Sequence, residues 1–224
     1  MSFFLEIKSN TVKCPNGCKL FNDKRNFSYW ESKNVTKDEK YIVDYLNINS
    51  EVLKNKNILH VGIGNSYIAK KLLSYNKIDG ISLSQNELDC ASKLNLSNYN
   101  FFFQNKYANQ KLFDDKLNFY NIIIDINLKS FSCCEVAFDE MFKMYVKIIN
   151  KDGKIITSRT GLEWSRIIKP VLSFSFKNFF YKRLKEFDGP VSNILSIQNC
   201  EEISKKFNLD IDLSDQNLVI FTKK

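Results

Sequence analysis

The sequence predicts an α/β fold in which a mostly parallel, doubly wound sheet is covered by helices on both faces. Between residues 57 and 158, short apolar runs typical of buried strands alternate with segments whose apolar residues recur at helical spacing. Strands that alternate with helices are joined by right-handed crossovers, and these build a sheet of this kind. A glycine-rich turn after the first strand and two apolar runs near residue 224 complete the pattern.

Five strands and three helices are expected within this stretch. The predicted strands are 57–62, 77–83, 100–103, 119–125 and 154–158, and the predicted helices are 66–75, 85–94 and 133–150. Ser84 should be the N-cap of the second helix, with Glu87 three residues later completing a capping box. Asp152-Gly153 is interpreted as the turn before the fifth strand.

The flanks of this stretch differ in character. We expect residues 1–50 to form an N-terminal lid or helical extension, with a helix over about 36–46, and residues 51–224 to form the main domain. An aromatic and basic insertion spans 162–190. A short helix at 200–207 and an antiparallel hairpin of the runs 209–213 and 217–222 should follow.

Charge and cysteine content limit the classes of partner and location. The net charge of +8 is spread along the chain, whereas nucleic-acid-binding proteins concentrate it, so a nucleic-acid partner is not expected. No run of 18 apolar residues occurs and the apolar start is too short for a signal peptide, which together predict a cytoplasmic protein. Cys14 and Cys18 could form half of a zinc site, but a second half is missing, so free thiols are favoured and no metal is expected.

Basic residues are concentrated only between Arg166 and Lys185, where six of them alternate with aromatic residues and no acid occurs. The favoured interpretation is an amphipathic helix with its aromatic side chains on the core and its lysines in water. Contact with an anionic or aromatic substrate, a membrane surface or RNA are the alternatives.

The residues most informative about function run from His60 to Ser66, in the order His-Val-Gly-Ile-Gly-Asn-Ser. They end the first strand and open the first helix, where glycines allow a ligand to approach the backbone and helix N–H groups are free. In open α/β sheets, ligands bind at the carboxyl ends of the strands. A dinucleotide fingerprint would place a third glycine where this chain has Tyr67. A nucleotide-like ligand other than a dinucleotide is therefore predicted, while a merely tight turn is the structural alternative.

With the C-terminal hairpin, this pattern resembles the class I S-adenosylmethionine-dependent methyltransferases. The resemblance covers residues 57–160 and 200–222, and it includes the phrases at 80–88 and 119–125. It implies a Rossmann-like, three-layer fold with a seven-stranded sheet whose last strand is antiparallel. It also implies S-adenosylmethionine as the cofactor and a small molecule as the methyl acceptor. A non-catalytic binding module with a decayed cofactor site and an RNA methyltransferase are the alternatives, and the oligomeric state is left open.

The resemblance also implies a set of cofactor-binding residues. These are Trp30, His60, Gly62, Ile63, Gly64, Ser66, Ser82, Leu83, Asn105 and Asp125. Three of them replace acids of the family pattern, namely His60 at the first motif, Ser82 near the ribose and Asn105 near the adenine. Because charge-assisted hydrogen bonds are stronger than neutral ones, each replacement should weaken binding, and Ser82→Asp is expected to tighten it.

Three of these residues have two possible roles each. Asp125, which ends the fourth strand, is the candidate catalytic residue on the substrate side, with a helix cap or loop acceptor as the alternative. His60 is interpreted as a neutral residue packed and hydrogen-bonded beneath the turn in preference to a general base. Trp30 either stacks near the sulfonium or anchors the N-terminal helix to the core.

Overall fold

The computed structural model describes residues 35–49, 55–72, 76–107, 110–130, 132, 134–162 and 195–224. Its strands are β1 (Asn57–Val61), β2 (Lys77–Ser82), β3 (Tyr99–Phe103), β4 (Tyr120–Asp125), β5 (Ile149–Ser158), β6 (Leu209–Asp212) and β7 (Leu218–Lys223). Its helices are α1 (Lys37–Ile48), α2 (Tyr67–Leu72), α3 (Gln85–Ser92), α4 (Glu135–Ile148), α5 (Arg159–Leu162) and α6 (Ile197–Lys206), with a 3-10 turn at Gln110–Phe113.

The seven strands form one mixed sheet in the order β3-β2-β1-β4-β5-β7-β6. Strands β1 to β5 pair in parallel, and β7 runs antiparallel to both of its neighbours, β5 and β6. This is the Rossmann-like sheet with an antiparallel last strand that the resemblance implied, so the predicted fold class is confirmed.

Alternation of apolar side chains along the strands explains the two helical layers. On β1, Ile58 packs in a core cluster with α1, α2 and α3, while Leu59 packs in a second cluster with α4 and α6. Successive side chains of a strand point to opposite faces, so a strand of consecutive isoleucines such as β4 is buried on both. All of Ile122, Ile123 and Ile124 are buried accordingly.

Two local expectations differ from the structure. Asp152 and Gly153 do not precede a strand but lie inside β5, which begins directly after α4. The register shows why: Tyr120 of β4 is aligned with Ile149, but Ile122 is aligned with Lys154. The extra β5 residues form an irregularity with Asp152 at a φ of 60°. The last predicted helix also begins earlier, at Ile197 after the N-cap Ser196.

Helix α1 belongs to the core of the sheet and is joined to the carboxyl end of β5. Its apolar side chains Ile42, Val43 and Leu46 are buried in the cluster that contains β1. The hydroxyl of Ser158 donates a hydrogen bond to Asp38 in the first turn of α1, at 2.5 Å. Within the described ranges, no helix has the length and apolar character needed to cross a membrane.

Candidate functional site

The candidate site lies where the sheet order changes direction. From β1 the chain builds outwards through β2 to β3, and it then returns to place β4 on the other side of β1. Val61 at the end of β1 is aligned with Asp125 at the end of β4. Crevices of open α/β sheets form at such switch points, outside the carboxyl ends of the strands.

The loop after β1 leaves open space above its first glycine. Gly62 has a φ of 77°, and a Cβ built on it would meet no atom of the described residues within 4 Å. Gly64 also has a left-handed backbone, with a φ of 53°. The backbone conformation thus favours glycine at both positions, and Gly62 additionally leaves a space that a ligand can occupy.

Ile63, between the two glycines, faces the protein interior. Its side chain is fully buried, and a Cβ on Gly80 of β2 would lie 2.6 Å from its Cγ2. The missing side chain at position 80 therefore provides the room for Ile63 and fixes the loop on the sheet. Ile63, which the resemblance places at the cofactor, can reach a ligand only through its backbone.

Ser66 ends the loop in a conformation that usually favours glycine, with a φ of 60°. Its buried hydroxyl lies 3.0 Å from the hydroxyl of Tyr99. Burial, with a smaller contribution from the nearby charge of Glu87, raises the pKa of Tyr99 to about 12 against the opposing effect of the hydrogen bond with Ser66. Ser66 therefore braces the loop on β3.

Glu87 brings a carboxylate beneath this loop. Its Oε2 accepts hydrogen bonds from the hydroxyl of Ser82 at 2.6 Å and from the backbone N–H of Gly64 at 3.2 Å. Only half of the predicted capping box forms, because Ser84 Oγ accepts from the Glu87 N–H while the Glu87 carboxylate turns away to the loop. The sequence analysis predicted Glu87 only as the capping-box partner of Ser84, and it did not predict the contact with the loop.

Ser82 at the end of β2 is engaged by the same contact. Its hydroxyl donates to Glu87, and its oxygen accepts the N–H of Ser84 at 3.0 Å. An acid introduced by Ser82→Asp would face the Glu87 carboxylate. This contact opposes the expectation that the substitution tightens binding, which stays a prediction. The next residue, Leu83, is half-buried at the edge of the site.

His60 is fully buried on β1, and neither ring nitrogen has a hydrogen-bond partner among the described residues. Burial lowers its pKa to about 4, so the imidazole is neutral near pH 7. The expected packing beneath the turn is present, but the expected hydrogen bond is not. A fully buried ring with a pKa this far below 7 is a poor candidate for a general base.

Asn105 follows β3 by two residues and is half-buried. Its side-chain oxygen accepts the backbone N–H of Tyr107 at 2.9 Å, an Asx turn that fixes the amide group in place. The side-chain oxygen is thereby engaged, and the amide nitrogen is the group of this side chain that can donate a hydrogen bond.

Asp125 is enclosed, with a side chain 3% exposed. Its Oδ2 accepts from Lys106 Nζ at 2.7 Å and from the Tyr145 hydroxyl at 2.9 Å. Lys106 also donates to the backbone carbonyls of Asn127 and Leu128, each at 3.0 Å, so it holds the loop after β4.

Burial raises the pKa of Asp125 and lowers the pKa of Lys106, while the attraction and hydrogen bond between them oppose both shifts. The sequence analysis did not identify Lys106 or Tyr145 as partners of Asp125. Lys106 directly follows Asn105 after β3, where a polar residue was expected, and Tyr145 carries the only hydroxyl on the buried face of α4 among its buried residues. A single polar group on an apolar helix face was the available signal.

Several sequence-based hypotheses fall outside the described residues. These are the placement of Trp30, the pair Cys14 and Cys18, and the aromatic and basic insertion beyond Leu162. In the part of the chain that the structure describes, no group of three or more His, Cys, Asp or Glu side chains could hold a metal ion.

No protein-family model matches this chain, and no curated protein matches its sequence. Solved structures do match its fold. One is a carbon methyltransferase, CurJ, with a TM-score of 0.57 and 11% identity over 82% of this chain. The present chain spans only 53% of that protein's length.

Two further structures match over most of their length. A SAM-dependent methyltransferase from Methanosarcina mazei has a TM-score of 0.55 and 12% identity, with 79% of this chain and 96% of that chain covered. The magnesium protoporphyrin IX methyltransferase of Synechocystis, solved with S-adenosylhomocysteine, has a TM-score of 0.53 and 13% identity, with 83% and 81% covered. The chain therefore has the fold of S-adenosylmethionine-dependent methyltransferases.

Proposed function

We propose that this chain is an S-adenosylmethionine-dependent methyltransferase that acts on a small-molecule acceptor, in the cytoplasm as the sequence alone predicts. One observation carries the proposal. The space above the exposed Gly62, here called the cradle, where a Cβ would meet no atom of the described residues within 4 Å, lies at the switch point between β1 and β4. Ligands of open α/β sheets bind at this place, and proteins with the same fold include S-adenosylmethionine-dependent methyltransferases.

The residues around the cradle fit a nucleoside that carries an amino acid. The backbone of Gly62, Ile63 and Gly64 would contact the amino-acid portion, Ser82 and Leu83 would border the ribose, and Asn105 would meet the adenine. His60, whose nitrogens have no partner among the described residues, and Ser66 would support the loop from below. Bound S-adenosylmethionine would supply an activated methyl group on a sulfonium. Of the two sequence-based alternatives for Trp30, the proposal includes stacking near the sulfonium.

Asp125 has a positioning role in this proposal and is not the proton acceptor. Its carboxylate is held by Lys106 and Tyr145, so it shapes the wall of the site beside the methyl group. Methyl transfer from a sulfonium depends chiefly on in-line positioning, which a rigid wall provides. A general base is required only where the acceptor is protonated at the working pH.

The distribution of charge and the fold neighbours support a small acceptor. The chain's charge is dispersed, and the Synechocystis neighbour is named for a small acceptor, magnesium protoporphyrin IX. The RNA alternative depends on the basic and aromatic insertion, which lies outside the described residues.

Calorimetric titration with S-adenosylhomocysteine tests the proposal, with Gly62→Val as the key variant. The valine side chain would fill the cradle, so binding should be lost. Gly62→Ala is the matched control, because it shares the strain of a non-glycine residue at a φ of 77° but adds only a Cβ with no neighbour among the described residues. Alanine should therefore retain measurable binding.

Thermal melting of both variants shows whether each is folded. Wild-type binding that persists unchanged in a folded Gly62→Val protein would place the ligand elsewhere. Absence of any binding to the wild-type protein would contradict the proposal and favour a non-catalytic module.

A further inference from the structure

The loop at the candidate site already holds an anion of its own. Two donors from different elements, the Gly64 backbone N–H and the Ser82 hydroxyl, converge on one oxygen of Glu87. The Glu87 side chain is buried, at 6% exposure, and belongs to the first turn of α3. Its charge acts on its surroundings, since it contributes to the raised pKa of Tyr99.

We propose that Glu87 is a specificity-determining residue that makes this site select adenine nucleosides without a phosphate over phosphorylated nucleotides. The inference rests on the proposed function, because it assumes that an adenosine-containing ligand lies on the loop at 62–64.

Glycine-rich loops bind phosphates through backbone N–H groups that point at the anion. Here the Gly64 N–H points at a carboxylate instead, so a phosphate would lose this donor and would face a second anion. Like charges at close range repel, and burial strengthens the repulsion because the effective dielectric constant is low. An adenosine 5′-substituent without net charge, such as a zwitterionic amino acid, does not meet this barrier.

Adenosine and adenosine monophosphate form the simplest pair of probes, because they differ only by the 5′-phosphate. Their dissociation constants should be measured by calorimetry for the wild type, for Glu87→Gln and for Asp89→Asn. Glutamine keeps the length of the side chain and an oxygen that can accept from Gly64 and Ser82, but it removes the charge. Asp89 is the matched control because it is an exposed acid on the same helix, bonded to Gln85.

The wild type should bind adenosine at least about tenfold more tightly than the monophosphate, as expected for an anion close to the phosphate position. Glu87→Gln should reduce this ratio by about tenfold, mainly by tighter binding of the monophosphate. Asp89→Asn should leave the ratio unchanged. Thermal melting of the variants, without ligand, checks that each is folded.

Two failures can be told apart. If the wild type binds S-adenosylhomocysteine but Glu87→Gln leaves the adenosine-to-monophosphate ratio unchanged, this inference is overturned and the proposed function stands. If the wild type binds none of the three adenosine compounds, both are overturned.

Discussion

Two buried carboxylates lie at the same edge of the sheet, one on each side of β1, and they have different kinds of partner. Glu87, beside β2, accepts from a backbone N–H and a serine hydroxyl, which are both neutral. Asp125, at the end of β4, accepts from the ammonium of Lys106 and from a tyrosine hydroxyl. The first set of contacts ties the glycine loop to a carboxylate. The second forms a buried ion pair at the end of β4.

The comparison shows that burial and position do not assign a role to an acid. By sequence, Asp125 is the natural candidate for chemistry because it ends a central strand, and Glu87 is a helix cap. The contacts reverse this order, since Asp125 is neutralised locally while Glu87 contacts the loop on which a ligand would lie. The partners of a buried carboxylate are therefore better evidence of its role than its place in the strand order.

The largest expected effect on stability comes from breaking the ion pair. Lys106→Met should lower the free energy of unfolding by about 3–5 kcal/mol, because it leaves the Asp125 carboxylate buried without its cation. Urea denaturation at neutral pH measures the change. Asp125→Asn in the same chain should recover much of the loss, since both charges are then absent.

Lys129→Met is the matched control for this prediction. Lys129 also pairs with an acid, Glu135, at 2.5 Å, but that acid is 41% exposed and keeps water when the lysine is removed. The loss should stay within about 1 kcal/mol. Equal destabilisation by the two lysine substitutions would show that the buried Asp125 ion pair contributes no more to the free energy of unfolding than the pair of Lys129 and Glu135.

A third buried titratable group, His60 on β1, differs from the two acids because it is neutral near pH 7. Its pKa is lowered to about 4 in the folded protein from 6.5, so the unfolded chain takes up the proton first as the pH falls. Stability is thus unaffected above about pH 7.5 and declines between there and about pH 4. Between about pH 7 and about pH 5 the wild type should lose about 2 kcal/mol more than His60→Leu.

Urea denaturation of both proteins at the two pH values gives this difference directly, because the titration of all other groups is shared. Leucine also removes two polar atoms that have no partner in the described chain, so His60→Leu should be no less stable at neutral pH. Identical pH dependence of the two proteins would mean that His60 is hydrated or paired.

The smallest expected effect on stability concerns the contact between Ser82 and Glu87. Ser82→Asp should destabilise the protein by about 1–2 kcal/mol near neutral pH, because the new carboxylate faces Glu87 and removes the hydroxyl that donates to it. Ser82→Ala removes the same donor without adding charge, and it should have the smaller effect of the two. Thermal or urea denaturation measures both, and a more stable Ser82→Asp protein would contradict the contact.

Much of the fold follows from local patterns. The run Ile122–Ile124 predicted a strand buried on both faces, and helical spacing predicted α4 nearly to its ends, because both signals lie within one element. Asp152-Gly153 misled the prediction, since a turn signal does not distinguish a loop from an irregularity inside a strand. The register with β4 decides between them, and register is a relation between distant segments.

The site divides in the same way. The spacing of Gly62 and Gly64 after an apolar strand determined where the backbone turns and where a ligand can approach, because glycine conformation is a local property. The partners of the acids were decided only by tertiary structure. Glu87 meets Gly64 across 23 residues and Lys106 meets Asp125 across 19. Electrostatic energy depends on distance and burial in space, and no local sequence pattern encodes either of them.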